Sequence, residues 1–484
     1  TYMATLYTAG RGAFPITVNS LRCPICGSTF YPNYFVQSNS DGIEWRVYYH
    51  GVPGVLKVRV HAFFDDKLCQ LFRALTVHSQ SSMAASARIY NTTLASPSSH
   101  ARIPLLRSED ITIAFNLYSL LLHHNEQHTR LRVPESAPNE IDRLAVAMQD
   151  RNRFMAGTGQ EQWAHACDLC RKFFERDGRE YMLSCAITDG VSIGRPCCAV
   201  HNCASPLPTN RARFCSTHAP LELICSVEGC QRPAREGYRT CTLPDHVKIE
   251  VNYKAVGQSF NLLKSQEEEE EEEEAEVRTD AEHASGSNTR RPPPKSTKTK
   301  ARFARRRTHN EQLIVRPCGV ILGRATFYGA EALSSVADFL QTVFPTRQSR
   351  PDVLFFDNNC SLHRYIADRP RLQDFFHDTA LVVDIFHFKS KHSESDVYCS
   401  RHCNAMAYPQ LFDEENKRWT FNSSACEQTN AWLNKFHTII REMLPVQYEF
   451  FLDEVIKERN HHLVEELRKR GHSPHLIPPS AIAD

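Results

Sequence analysis

Eighteen of the 484 residues are cysteine, and most fall in tight groups with histidines interleaved. The densest group is an internal repeat. Cys198 and Cys203 are separated by four residues, and Cys215 and His218 follow with two between; Cys225 and Cys230 are again separated by four, and Cys241 and His246 follow with four between. Each half offers three thiolates and an imidazole, the donor set of a closed tetrahedral zinc site. Such a site leaves no position open for water, so its zinc is structural rather than catalytic. The segment is poor in apolar residues, so the metal is expected to supply much of its folding energy. Cys197 and His201 are alternative ligands in the first half, and spacing leaves sequential and cross-braced pairing both open. Cys23 and Cys26 form a C-P-x-C knuckle with no partners nearby, while Cys167 and Cys170 pair farther on beside His165. These four cysteines either share one zinc across a long loop or are two unrelated pairs. His387, His392, Cys399 and Cys403, with His402 beside them, have spacings that permit another zinc site, or are ordinary helix-face histidines and buried thiols.

A second set of residues could carry phosphoryl chemistry. Metal-dependent cleavage of DNA needs carboxylates holding two divalent ions about 4 Å apart, usually from strand ends or an adjacent helix. Asp189 ends the run Tyr181–Asp189, Asp357 follows the run Asp352–Phe356, and Glu427 heads a helical stretch from Ser424. Each has a plainer reading. Asp189-Gly190 is a turn signal, Asp357 opens a turn or caps a helix, and Ser424 with Glu427 matches a capping box. Asp384, in the middle of an apolar run, rivals all three.

The elements that must position these groups read as follows. Trp45–Arg59 reads as a hairpin broken at Gly51–Gly54, and Leu117–Leu122 as part of a helix. Strands are expected at Tyr181–Asp189, Leu313–Val315, Val320–Ala325, Asp352–Phe356 and Ala380–Phe386. Ala330–Phe344 carries Val336, Phe339, Leu340 and Val343 at helical spacing, and a long helix from Ser424 carries Trp432, Phe436, Ile439, Ile440 and Met443 on one face. A last amphipathic stretch covers 447–469. Strands and helices in this order make an α/β arrangement. Between the cysteine repeat and Leu313 lie the acidic tract Glu267–Glu274, Pro292–Pro294 and a basic run to Arg307. Like charges in blocks repel and stay solvated, so 265–308 reads as a disordered linker.

Net charge is +1, so any nucleic-acid surface must be local. Arg211, Arg213, Arg232, Arg235 and Arg239 line the cysteine loops, and Arg305, Arg306 and Arg307 end the basic run; both groups are candidates for DNA phosphates. The basic run also fits nuclear import. No apolar run reaches the roughly 18 residues that span a bilayer. No secretory signal opens the chain, and clustered cysteines without one fit zinc in a reducing compartment rather than disulfides. The chain begins at Thr1 rather than Met, which allows for a missing N-terminal piece.

Several motifs together resemble the fungal Kyakuja–Dileera–Zisupton (KDZ) transposases and the cysteine-cluster (CxC) modules that accompany them. They are T-D-G-V-S-I-G-R-P-C-C at 188–198, F-C-S-T-H at 214–218, R-R-R-T-H-N-E-Q-L at 305–313, P-C-G-V-I-L at 317–322, F-F-D-N-N-C at 355–360, V-D-I-F-H-F-K-S-K-H at 383–392 and F-N-S-S-A-C-E-Q-T-N at 421–430. C-P-I-C at 23–26 looks like the companion N-terminal cluster. The resemblance implies an α/β, RNase H-like mixed sheet with a DDE catalytic triad. Asp357, followed by Cys360, looks like the family's D-x-x-C aspartate, and Glu427 looks like the third carboxylate. Asp189 is the choice for the first, because it ends the first core strand. The expected domains are an N-terminal α+β cysteine-cluster domain (1–175), the first core strand (176–194), an inserted two-zinc module (195–250), the linker (265–308) and the rest of the core (309–484). The expected cofactors are two or more structural Zn²⁺ and two catalytic Mg²⁺ or Mn²⁺. The expected partners are the DNA of element ends and target, with a homodimer admitted and no membrane; the expected location is the nucleus. A catalytically silent, transposon-derived DNA- or chromatin-binding protein is the alternative.

Overall fold

The computed structural model describes residues 1–38, 40–95, 103–256, 301–385 and 397–483, which form a mixed α/β chain with several sheets. They divide into two compact units, one made of Thr1–Arg195 with Thr308–Asp484 and the other of Pro196–Arg307. No described helix is long and apolar enough to cross a membrane.

In the first unit the central sheet contains β1 (Arg179–Val191), β2 (Asn310–Val315), β3 (Ile321–Phe327), β4 (Val353–Phe355) and β5 (Ala380–Val382), in the spatial order β3-β2-β1-β4-β5. β2 runs antiparallel to β1, with Asp189 opposite Leu313, and β3 runs antiparallel to β2. β4 lies parallel to β1 with Ile187 opposite Phe355, and β5 parallel to β4 with Phe355 opposite Val382. A sixth strand, Arg171–Arg176, makes a hairpin with the first half of β1. Helices cover both faces, which is why β4 and β5 are short continuous apolar runs. Side chains alternate faces along a strand. Ile187, Phe355 and Val382 therefore pack with Ala425, Cys426 and Leu433 of one helix and with Phe451 and Val455 of another. Ala186 and Leu354 point the other way, onto Val336, Phe339, Leu340 and Val343. These helices are α1 (Leu333–Val343), α2 (Ala425–Asn434) and α3 (Pro445–Lys469).

Residues before 156 belong to the same unit. They build a four-stranded and a five-stranded sheet around the helices Asp66–Ser79, Ser108–Glu126 and Glu140–Met155. Their core, which includes Tyr34, Leu56, Phe64, Phe72 and Leu117, takes in Phe450 of α3.

The structure departs from the sequence reading in several places. Trp45–Arg59 is not a hairpin: Glu44–Tyr48 pairs with Tyr34–Ser38 and Arg132–Pro134, whereas Val55–Arg59 pairs with Ala62–Asp65 in the other sheet. Each half finds a different partner, and the glycines between them carry the chain from sheet to sheet. Asp189-Gly190 is not a turn either, because β1 continues to Val191. Gly190 is there for close approach: a Cβ would lie 1.9 Å from Asn310 Nδ2. β5 stops at Val382 rather than Phe386, because the Val383 amide leaves the sheet to donate to the Cys403 carbonyl (2.9 Å). The helix from Ser424 breaks after Asn434 and resumes as His437–Ile440. Most of the segment read as linker lies outside the described residues, but its last residues are ordered. The Arg302 amide donates to the Ser226 carbonyl at 3.1 Å, Phe303 is buried against Tyr253, and Arg306–Arg307 pairs with Pro196–Cys197. Phe303 gives this basic stretch an apolar side chain to bury.

Candidate functional site

The cysteine repeat folds into two separate quartets within Pro196–Arg307. Cys198, Cys203, Cys215 and His218 form one, and Cys225, Cys230, Cys241 and His246 the other; in each, the four donor atoms lie within 4.8 Å of one another. The pairing is therefore sequential. Turns aim the sulfurs inward: the Cys203 amide donates to the Val200 carbonyl (3.2 Å), the Cys230 amide to Val227 (3.1 Å), and the His218 amide to Cys215 (3.0 Å). Two thiolates on one zinc, each about 2.3 Å from the metal, are about 3.8 Å apart. Cys203 and Cys215 sulfurs are separated by 3.9 Å, and Cys230 and Cys241 by 4.0 Å. Nδ1 of His218 lies 3.3–3.5 Å from its three sulfurs, and Nδ1 of His246 lies 3.4 Å from Cys225 and Cys241. The donor set and its spacing suit a four-coordinate zinc, and both quartets are full. Cys197 and His201 are not ligands, since Cys197 sits in the strand facing Arg306 and His201 Nδ1 lies 3.1 Å from the Arg306 guanidinium.

Cys23 and Cys26 do not join Cys167 and Cys170. The first pair sits on its own turn, closed by the Gly27 amide donating to Cys23, with Cys26 exposed. Cys167 and Cys170 instead lie with His165 and Cys318. Cys318 escaped the sequence reading as a ligand because it stands alone, nearly 150 residues from the others. Of the last cysteine–histidine cluster, His387 and His392 lie outside the described residues, while Cys399 and Cys403 are buried with Cys360 and Val383.

The two aspartates are placed by the sheet, and Glu427 by a helix on it. β1 and β4 are parallel neighbours in register at Ile187 and Phe355, and Asp189 and Asp357 each follow two residues later. Strand alternation puts Asp189 on the face covered by α2, and Asn430 Nδ2 donates to Asp189 Oδ2 at 2.8 Å. Cys426 Sγ lies 3.9 Å from the Asp189 carbonyl oxygen. Glu427 sits between those two contacts on α2. Burial first, and then the charges of Asp357, Glu331 and Glu427, together raise the Asp189 carboxyl to about 7. These four carboxylates therefore share one electrostatic neighbourhood, of which Glu331 was missed because it has no motif around it. Ser424 makes no side-chain cap bond, which removes the capping-box reading of Glu427. Asp384 is buried beyond the end of β5.

The arginines separate by exposure. Arg213 is 7% exposed and is spent inside the unit, donating to Ser226 Oγ at 3.1 Å and the Arg302 carbonyl at 2.9 Å and pairing with Glu222. It is not available to a phosphate. Arg211 and Arg305 are exposed; Arg306 and Arg307 are half-buried in their strand.

Residues 187–252 match the family described as CxC6 like cysteine cluster associated with KDZ transposases, and residues 1–94 match that described as CxC5 like cysteine cluster associated with KDZ transposases. No curated protein and no solved structure matches the chain. The first match holds both quartets and the end of β1, and the second holds the Cys23–Cys26 turn: this is a KDZ transposase-associated protein carrying two kinds of cysteine cluster.

Proposed function

We propose that the chain is a DDE-type DNA transposase of a KDZ-like element, with Asp189, Asp357 and Glu427 as its catalytic carboxylates on an RNase H-like core. The observation that carries the reading is that Asp189 on β1 and Asp357, two residues past the end of β4, follow the same register pair of adjacent parallel strands, with the helix that bears Glu427 packed on Asp189. The order β3-β2-β1-β4-β5, with β2 and β3 antiparallel and β4 and β5 parallel to β1, suits an RNase H-like sheet. The donors fit a divalent cation: they are all carboxylates, and crowding like charges around Asp189 makes a site that a cation relieves. Mg²⁺ or Mn²⁺, when bound, would activate the attacking oxygen and stabilise the leaving one. Asn430 holds the Asp189 carboxylate in place, and Glu331 adds a fourth negative charge. The zinc quartets and the exposed Arg211 and Arg305 are proposed to engage DNA phosphates, and the nucleus is the compartment proposed for that work.

The test is Mn²⁺-dependent nicking of supercoiled plasmid carrying candidate element ends, by the zinc-loaded chain beside Asp357→Ala and Glu427→Ala. Loss of at least a hundredfold in both variants, with DNA binding unchanged, is the expected result. Full nicking by either variant would refute the triad. Binding without cleavage by the parent would favour the silent DNA-binding protein.

A further inference from the structure

His165, Cys167, Cys170 and Cys318 form a third closed donor set, outside both matched cysteine clusters. The Cys170 sulfur lies 3.2 Å from both Cys167 and Cys318, and His165 Nε2 lies 3.3 Å from Cys318. These distances exceed a disulfide bond, about 2.05 Å, by more than an ångström. His165 is fully buried, and its Nδ1 has no hydrogen-bond partner among the described residues, so the ring's polar contact is on the sulfur side. Cys167 and Cys170 are buried as well, on a turn closed by the Cys170 and Arg171 amides donating to the Cys167 carbonyl. Three sulfurs and an imidazole packed together, three of the four residues buried and Cys318 partly so, are costly unless something accepts their lone pairs.

We infer that these four residues bind a third structural zinc, which ties the chain ahead of the core to the β2–β3 turn. The ion would replace the thiol protons of Cys167, Cys170 and Cys318, which pass to solvent, and take the lone pair of His165 Nε2. Three thiolates and Zn²⁺ leave one net negative charge. Arg316 and Arg459 stand near enough to act electrostatically on Cys170 and Cys318 and balance it. The site joins separate parts of the first unit. His165 pairs with Leu476 near the C-terminal end, the Cys170 carbonyl accepts from the Cys185 amide of β1, and Cys318 occupies the turn where Gly319 takes φ +92°. Arg459 of α3 donates to the Gly319 carbonyl at 2.7 Å and to Thr429 Oγ1 at 3.4 Å on α2. The metal thus steadies a turn that is hydrogen-bonded through one arginine to the helix bearing Glu427.

Zinc counted per full-length chain tests this, in the parent, Cys318→Ser, Cys167→Ser and the double variant. Each single variant should lose one zinc, and the double variant still only one, because the residues share an ion. No loss, or loss of two in the double variant, would overturn the site. A non-mutational measurement guards against variants that fail to fold. In the parent, Cys167, Cys170 and Cys318 should resist alkylation and become labelled together once a strong chelator is added. Labelling unchanged by chelator, or released only by a reductant, would mean burial or a disulfide and overturn the inference.

Discussion

Asp189 is the residue on which the carboxylate site turns, and its chemistry makes a prediction independent of cleavage. Its carboxyl ionises near 7 in the fold, because burial and then Asp357, Glu331 and Glu427 disfavour the charge, against 3.8 for an unperturbed aspartate. A raised folded value means the folded chain holds this proton more tightly than the unfolded one. The stability it lends is complete below about pH 4 and is lost as pH rises to about 7, on the order of 4 kcal/mol at most. Asp189→Asn keeps an oxygen for Asn430 and removes the charge. It should therefore raise the unfolding midpoint by a few degrees at pH 8 without divalent ions, and show little difference at pH 4. Mg²⁺ should stabilise the parent at pH 8 and leave the variant nearly unmoved. Thermal unfolding at the two pH values, with and without Mg²⁺, decides it; an asparagine variant less stable than the parent at pH 8 would mean the carboxylate is not crowded.

At the scale of elements, β1 carries a constraint that its composition does not advertise. Gly190 lies inside the strand, where a methyl group would collide with the Asn310 amide 1.9 Å away, in a chain of polar contacts from Asn310 through Gln312 to Thr188. Gly190→Ala must displace that chain or part β1 from β2, so a loss of about 1–3 kcal/mol is expected. Urea denaturation measures the loss, and the same variant should nick DNA poorly, because Asp189 is the next residue. A variant as stable as the parent would show that the polar chain yields. This strand also marks where sequence ceases to be legible. The zinc quartets could be read because their ligands are local, and α1 because its apolar residues recur within one helix. Asp-Gly reads as a turn from its neighbours alone; only the side chains of β2, more than a hundred residues on, make it a strand. The same distance hides Cys318, whose three companions belong to another part of the chain. Glu44–Tyr48 and Val55–Arg59 misled for the related reason that strand character is local while strand pairing is not.

Across the first unit, the N-terminal sheets and the carboxylate core are held by a buried ionic knot as well as by apolar packing. Glu454 of α3 is 2% exposed and lies 2.6 Å from Arg151 and 3.3 Å from Arg73, which come from two N-terminal helices; Arg73 also pairs with Glu458. Burial would raise the Glu454 carboxyl, but the two guanidiniums outweigh it and hold the carboxyl below its ordinary value. Such a knot adds little over an apolar filling but is costly to break, because removing one partner strands the others in a dry interior. Glu454→Ala should therefore cost about 3–5 kcal/mol. The low pKa sets the pH sense: this contribution is present above the ordinary glutamate range and is lost as pH falls through the folded value. The damage should stay within the first unit, since both zinc quartets fold from residues of the second. Guanidinium denaturation of the variant, with zinc counted before and after, tests both halves. A midpoint that drops while the quartet zinc stays bound means that the N-terminal region and the core stand or fall together, apart from the zinc unit. Loss of quartet zinc under the same conditions would mean that the two units do not keep their folds independently.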